Sequence, residues 1–184
     1  MKCWLDGIIS RSTGPFSKAL GIRSNCAMIW AVTQDRDSLL DGIRAIVDDI
    51  EYSKNVRAKQ VANIIQSARN YHWVGIYQVR TNEIAALGWT GANAPAHPNF
   101  PVTDGLNGAA VKSGQPVIAN DVSADPRYLA TFSDTQAEMI VPVLNAQRKV
   151  VGTIDIDSKE SNAFTESDSV LLQECAAVMV ELFS

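Results

Sequence analysis

Histidine and cysteine are scarce in this chain of 184 residues, which has two of the first and three of the second. His72 and His97 stand apart, and Cys3, Cys26 and Cys175 form no C-x-x-C pair, so a structural zinc site lacks its ligands and a disulfide framework its partners. Three widely spaced cysteines fit reduced thiols in a cytosol. No apolar run approaches the ~20 residues of a membrane span. Met1-Lys2 is followed by Cys3-Trp4-Leu5-Asp6, whose charge falls before a signal-peptide stretch can form, and the run Cys26 to Val32 lies too far in to act as one. A cytoplasmic location is therefore expected, with no membrane partner. Sixteen Lys and Arg against twenty Asp and Glu give a net charge of -4 without a basic block, which argues against nucleic acid. Walker loops, G-x-S-x-G elbows and kinase signatures are missing, so nucleotide hydrolysis and serine hydrolysis have no support. No repeat of solenoid or propeller length is present.

What is present is an ordinary globular composition, 46% hydrophobic and 20% charged, long enough for one sizeable core. Residues 1–35 are broken by Gly7, Gly14, Pro15 and Gly21 and read as an N-terminal arm of unclear structure; residues 36–184 read as one domain. Leu39, Leu40, Ile43, Ile46, Val47 and Ile50 recur at helical spacing after an N-cap at Asp37 or Ser38. A second helix carries Val61, Ile64, Ile65 and Ala68 on one stripe. The period then drops to two: Trp73 to Val79 and Glu83 to Trp89 predict a hairpin turning at Arg80-Thr81-Asn82. Thr90 to Pro101 reads as a loop, Gly105 opens a short helix ending near Gly114, and Pro116 to Ala119 is a short strand. Tyr128 to Phe132 is expected to be another short helix. Met139 to Leu144 and Lys149 to Asp157 form a second hairpin. The last helix starts at Thr165, with Asp168 completing a capping box, and carries Leu171, Leu172, Cys175, Met179 and Leu182 on its stripe. Hairpins separated by helices predict an α+β fold with a central antiparallel sheet flanked by helices.

Alternation places Ile154 and Ile156 on one face of the last strand and Thr153, Asp155 and Asp157 on the other. Two carboxylates about 7 Å apart on one face, with Glu138 entering the partner strand, repel each other unless a cation or several donors lie between them. An ammonium would satisfy them; on an open face, water would. Trp73, Gly75 and Tyr77 share a face too, with the aromatic positions about 13 Å apart, and make either ordinary core or a concave wall suited to a cation, a thioether or a sulfoxide methyl.

Trp73-Val74-Gly75-Ile76-Tyr77, the helix start Thr103-Asp104-Gly105-Leu106-Asn107-Gly108-Ala109-Ala110, the strands Met139 to Val143 and Val150 to Ser158, and Phe164-Thr165-Glu166-Ser167-Asp168 together resemble a GAF domain, over about residues 37–184. Within that family the sequence is similar to the free methionine-(R)-sulfoxide reductases, which carry cysteines at three places in the loops over the pocket. The matching positions here are His97, Asn107 and Thr131, and none is a cysteine. Sulfoxide reduction needs a thiolate to attack sulfur and a second thiol to resolve the product.

The resemblance implies a GAF/PAS-like fold and a non-catalytic, small-molecule-binding sensor module. Its expected ligand is a free amino acid or similar amine, held by Trp73, Tyr77, Asn107, Thr131, Glu138, Asp155 and Asp157, with no cofactor and no metal. The loop from Thr90 to Pro101 is expected to close over the ligand. A homodimer through the helices at 38–50 and 166–183 is expected, together with a separate signalling partner. The alternative is a divergent, thiol-dependent sulfoxide reductase drawing on Cys3 or Cys26. A pocket cysteine for bilin attachment is missing, and Lys159, Phe164 and Asp168 match the cyclic-nucleotide signature only loosely.

Overall fold

The computed structural model describes residues 35–184, and the expected arm at 1–35 lies outside them but for its last residue. Residues 35–48 form helix α1, which is followed by α2 (Lys54–Arg69). The strands are β1 (Trp73–Val79), β2 (Glu83–Trp89), β3 (Asn99–Pro101), β4 (Val117–Ala119), β5 (Ala137–Leu144) and β6 (Val150–Ser158); α3 (Gly105–Ser113) lies between β3 and β4, and α4 (Glu166–Val178) follows β6. All six strands make one antiparallel sheet in the order β3-β2-β1-β6-β5-β4. This is the α+β architecture the periodicity predicts.

The alternation of β1, β5 and β6 sorts their side chains into two different media. Val74, Ile76, Met139, Val141, Val143, Ile154 and Ile156 join the apolar side of α1, α2 and α4 in the main core. Gly88 lets α2 rest directly on β2: a Cβ there would come within 2.3 Å of the Lys59 backbone nitrogen. The capping box of α4 is formed as expected, with the Thr165 side chain accepting from the Asp168 amide and the Asp168 carboxylate from the Thr165 amide. Arg36 reaches across from α1 to α4, its Nε donating to Glu174 at 2.6 Å.

Several local expectations are corrected. Asn99–Pro101 is an edge strand paired to β2 rather than loop, a position where Pro101 needs no ladder partner for its missing N–H. Tyr128 to Phe132 is not helical; the short helix in that region is a single 3-10 turn at Val122–Ala124, capped by the Asp121 side chain. Ile50 falls beyond the end of α1 and is 85% exposed. On α2 the fully buried residues are Ala58, Val61, Ala62 and Ile65, so the buried stripe is shifted toward Ala58 and Ala62, leaving Ile64 and Ala68 at its margin. The last helix ends at Val178 and tightens into a 3-10 turn at Val180–Phe183. No helix among the described residues is long and apolar enough to cross a membrane.

Candidate functional site

The second face of the sheet is covered by α3 and the loop from Asn120 to Gln136. Antiparallel pairing aligns its side chains in rows: Trp73, Asp157 and Glu138 oppose one another across β1, β6 and β5, and Gly75, Asp155 and Ile140 form the next row. Glu138, Asp155 and Asp157 are all buried, at 5%, 3% and 1% exposure, so the alternative of a solvated acidic face does not hold. Glu138 Oε2, Asp155 Oδ1 and both Asp157 oxygens have no hydrogen-bond partner among the described residues. Buried unpaired acceptors of this kind are unusual and call for a cation or a proton.

The electrostatics follow from that geometry. Burial, reinforced by the charges of Asp155 and Asp157, pushes the Glu138 carboxyl well above the usual carboxylate range. Burial and the neighbouring Asp157 do the same to Asp155, opposed by a hydrogen bond from Asn107. Burial lifts Asp157 to about 7, eased by the adjacent Thr135 hydroxyl. Burial and the same three acids raise the Tyr77 phenol. Each carboxyl of the row is thus biased toward its protonated form.

The aromatic wall differs from its expected form. A Cβ on Gly75 would meet Trp73 Cη2 at 2.4 Å and Tyr77 Cε2 at 2.8 Å. Both rings thus lean over the glycine from opposite sides, and the wall is a closed floor instead of two separated faces. Trp73 meets Phe132 edge-on at 5.3 Å between ring centroids, and Tyr77 meets Phe100 at 5.8 Å. The Trp73 indole N–H is buried without an acceptor.

Asn107, in the first turn of α3, reaches the row: its Nδ2 donates to Asp155 Oδ2 at 2.9 Å and its Oδ1 accepts from Thr153 Oγ1 at 2.6 Å. Thr131 is half-buried in the covering loop, its backbone beside the Tyr128 hydroxyl, and it makes no side-chain hydrogen bond among the described residues. His97 is exposed. The cover over Trp73 comes from Phe132, with Leu129 in the same cluster, while the segment expected to be the lid is partly tied down as β3. Two hydroxyls that sequence reasoning missed, Tyr128 and Thr135, are buried without hydrogen-bond partners of normal geometry. They lie in a loop with no period to betray them. Tyr128 also lines an open groove of about 740 Å³ with Val102, Val111, Pro126 and Leu129, and burial, helped by the charges of Asp157 and Glu138, raises its phenol.

Cys175 is the cysteine among the described residues; it lies in the main core on the opposite face, and burial with the nearby Glu174 pushes its thiol up to about 12. No group of three or more His, Cys, Asp or Glu among the described residues is arranged to hold a metal ion.

The profile of one domain family, the GAF domain, matches residues 55–180. The chain belongs to the GAF domain family. Among solved GAF-fold structures it is similar to the type II free methionine-R-sulfoxide reductase of Thermoplasma acidophilum, at 30% identity and a TM-score of 0.66, covering 71% of this chain and 92% of that one. It is similar as well to the free methionine-R-sulfoxide reductase of Neisseria meningitidis in complex with its substrate, at 28% identity and a TM-score of 0.71, covering 80% and 87%. The Bacillus subtilis protein YtsP is 27% identical over 146 residues, 79% of this GAF chain and 89% of YtsP.

Proposed function

We propose that this GAF domain is a non-catalytic binding module for a free amino acid or similar amine. The observation that carries the reading is the buried row of Glu138, Asp155 and Asp157, with four carboxylate oxygens that lack a partner and await a cation. An ammonium offers three donors at a single positive point, which suits several carboxylates converging from adjacent strands. Trp73 and Tyr77, closed over Gly75, give the apolar part of such a ligand a surface to lie against, and the unpaired indole N–H offers it a donor. The reductases resembling this chain act, by name, on a free amino acid, which supports the same ligand class here. Signalling through a partner is part of this proposal. The apolar sides of α1 and α4 are taken up by the chain's own core, so a homodimer would use their outer faces, where Val170 stands 47% exposed.

The test is thermal unfolding without reductant against free methionine, both epimers of its sulfoxide, other amino acids and cyclic nucleotides. A ligand at 100 times its Kd adds about 2.7 kcal/mol, or roughly 5 to 10 °C for a domain of this size. A rise confined to methionine-like amines and lost in Asp155→Asn is the expected result. A flat screen would sink the reading.

The second reading, a thiol-dependent free methionine sulfoxide reductase, is favoured by the likeness to two such enzymes. Cys175 cannot supply its thiolate from the far face of the sheet, and Cys3 and Cys26 lie outside the described residues. Turnover of free methionine sulfoxide that disappears in Cys26→Ser would establish this reading and displace the first.

A further inference from the structure

Asn107 is built into the row more firmly than a residue waiting for a ligand needs to be. Its carboxamide is engaged at both ends by protein, accepting from Thr153 and donating to Asp155. The orientation of the amide suits an ionised Asp155, because turning it over would set its carbonyl oxygen against the carboxylate. The three residues are buried together, with Thr153 fully covered. The first turn of α3 is itself held in place: a Cβ on Gly108 would meet the Thr103 carbonyl carbon at 2.5 Å, so the chain entering the helix runs directly over Gly108. Asp155 is thereby gripped from outside the sheet through Oδ2, while its Oδ1 stays unpartnered in the row.

We propose that Asn107 is a positioning residue that acts through Asp155, locking the carboxylate by one oxygen and turning the other toward the ligand's positive group. This rests on the amine-binding reading above for the ligand, and on the hydrogen bonds alone for the grip on Asp155. The groups facing Asp155 are Asp157 on its own strand, Glu138 on β5 and Tyr77 on β1, and each of these disfavours its ionised form or is disfavoured by it. The Asn107 N–H is the hydrogen-bond donor that opposes them, and it ties the ionisation of Asp155 to the placement of α3.

Two measurements on the full chain test this, using Asn107→Leu, which keeps the volume, and Thr153→Val, which removes only the hydroxyl that orients the amide. Carbon-13 carboxyl shifts of Asp155 are followed from pH 4 to 9 in the apoprotein, and binding of free methionine sulfoxide is measured by calorimetry. Asn107→Leu is expected to raise the Asp155 midpoint by about one pH unit and Thr153→Val to raise it less, in the same direction. Where the wild type binds the sulfoxide, Asn107→Leu weakens it at least fivefold at pH 7. An unmoved midpoint in Asn107→Leu, or undiminished binding, overturns the proposal; if that variant does not fold, the Thr153→Val midpoint decides alone. A wild type that binds no sulfoxide refutes the amine reading for this probe, and the midpoint still decides the role of Asn107.

Discussion

Replacing Asp157 by Asn should make the apoprotein more stable at neutral pH, although the aspartate is among the most deeply buried polar residues of the domain. Its carboxyl is raised by burial from an ordinary value of 3.8 to about 7, so between those two pH values the folded chain keeps a proton that the unfolded chain has released. The folded state binding more protons means that stability falls as pH rises through this window. The favourable contribution is complete below pH 3.8 and gone above about 7, and the whole displacement corresponds to at most roughly 4 kcal/mol. With the side chain 1% exposed, little of this is screened. The carboxyls of Asp125, Asp134 and Glu174, lowered by hydrogen bonds from Arg127, Lys159 and Arg36, titrate below the range that matters. Urea unfolding at half-unit steps from pH 5 to 8 is the assay. The wild type should lose stability steadily across it, and Asp157→Asn should flatten that loss and be the more stable protein at pH 8. Glu138 and Asp155 leave a residual slope in the variant. A wild-type profile that is level or rising from pH 5 to 8 would refute the reasoning, because it would mean that the row is already neutralised within the apoprotein.

Gly88 and Gly75 should differ in their sensitivity to a methyl group. Gly88→Ala drives a methyl into the backbone of α2 and should cost more in urea unfolding than Gly75→Ala, which meets only ring atoms; overpacking of this kind costs about 1 to 3 kcal/mol. Gly75→Ala should instead change the fluorescence of Trp73, whose ring has to swing away. Cys175, buried with its thiol raised to about 12, should resist a disulfide reagent at pH 8 in the folded protein and react on unfolding. Thr165→Ala removes one half of the α4 capping box and should lower stability by about 1 kcal/mol without altering ligand binding.

Strands β1, β5 and β6 were legible because a strict period of two leaves little choice of face, and the same period picked out Glu138, Asp155 and Asp157 as companions. The chemistry of Asn107 was not legible in that way. Position in a helix's first turn suggests a cap or a ligand contact, and only the approach of α3 to β6 shows the amide spent on Thr153 and Asp155. Strand spacing fixes where Trp73 and Tyr77 leave the backbone but not how their rings turn, and the glycine between them permits a convergence that no periodicity announces. The prolines of Thr90 to Pro101 weigh against a strand there, yet at Asn99–Pro101 an edge strand has a side without a ladder to break. Thr135 and Tyr128 sit in irregular chain, where the fold alone decides which side chains turn inward.

The opposite characters of the two sides of β6 bear on how the chain finds its pairing. Ile154 and Ile156 face the helices while Asp155 and Asp157 face α3, and both neighbours, β1 and β5, are aligned to the same scheme. A slip of one residue would push two aspartates in among Ile43, Met139 and Leu172 and bring two isoleucines under the covering loop. Such an alignment error is far costlier than in a strand apolar on both sides. The acids that invite a ligand in the finished molecule therefore also serve during folding as a registration mark, and neutralising both of them should leave the central hairpin freer to mispair.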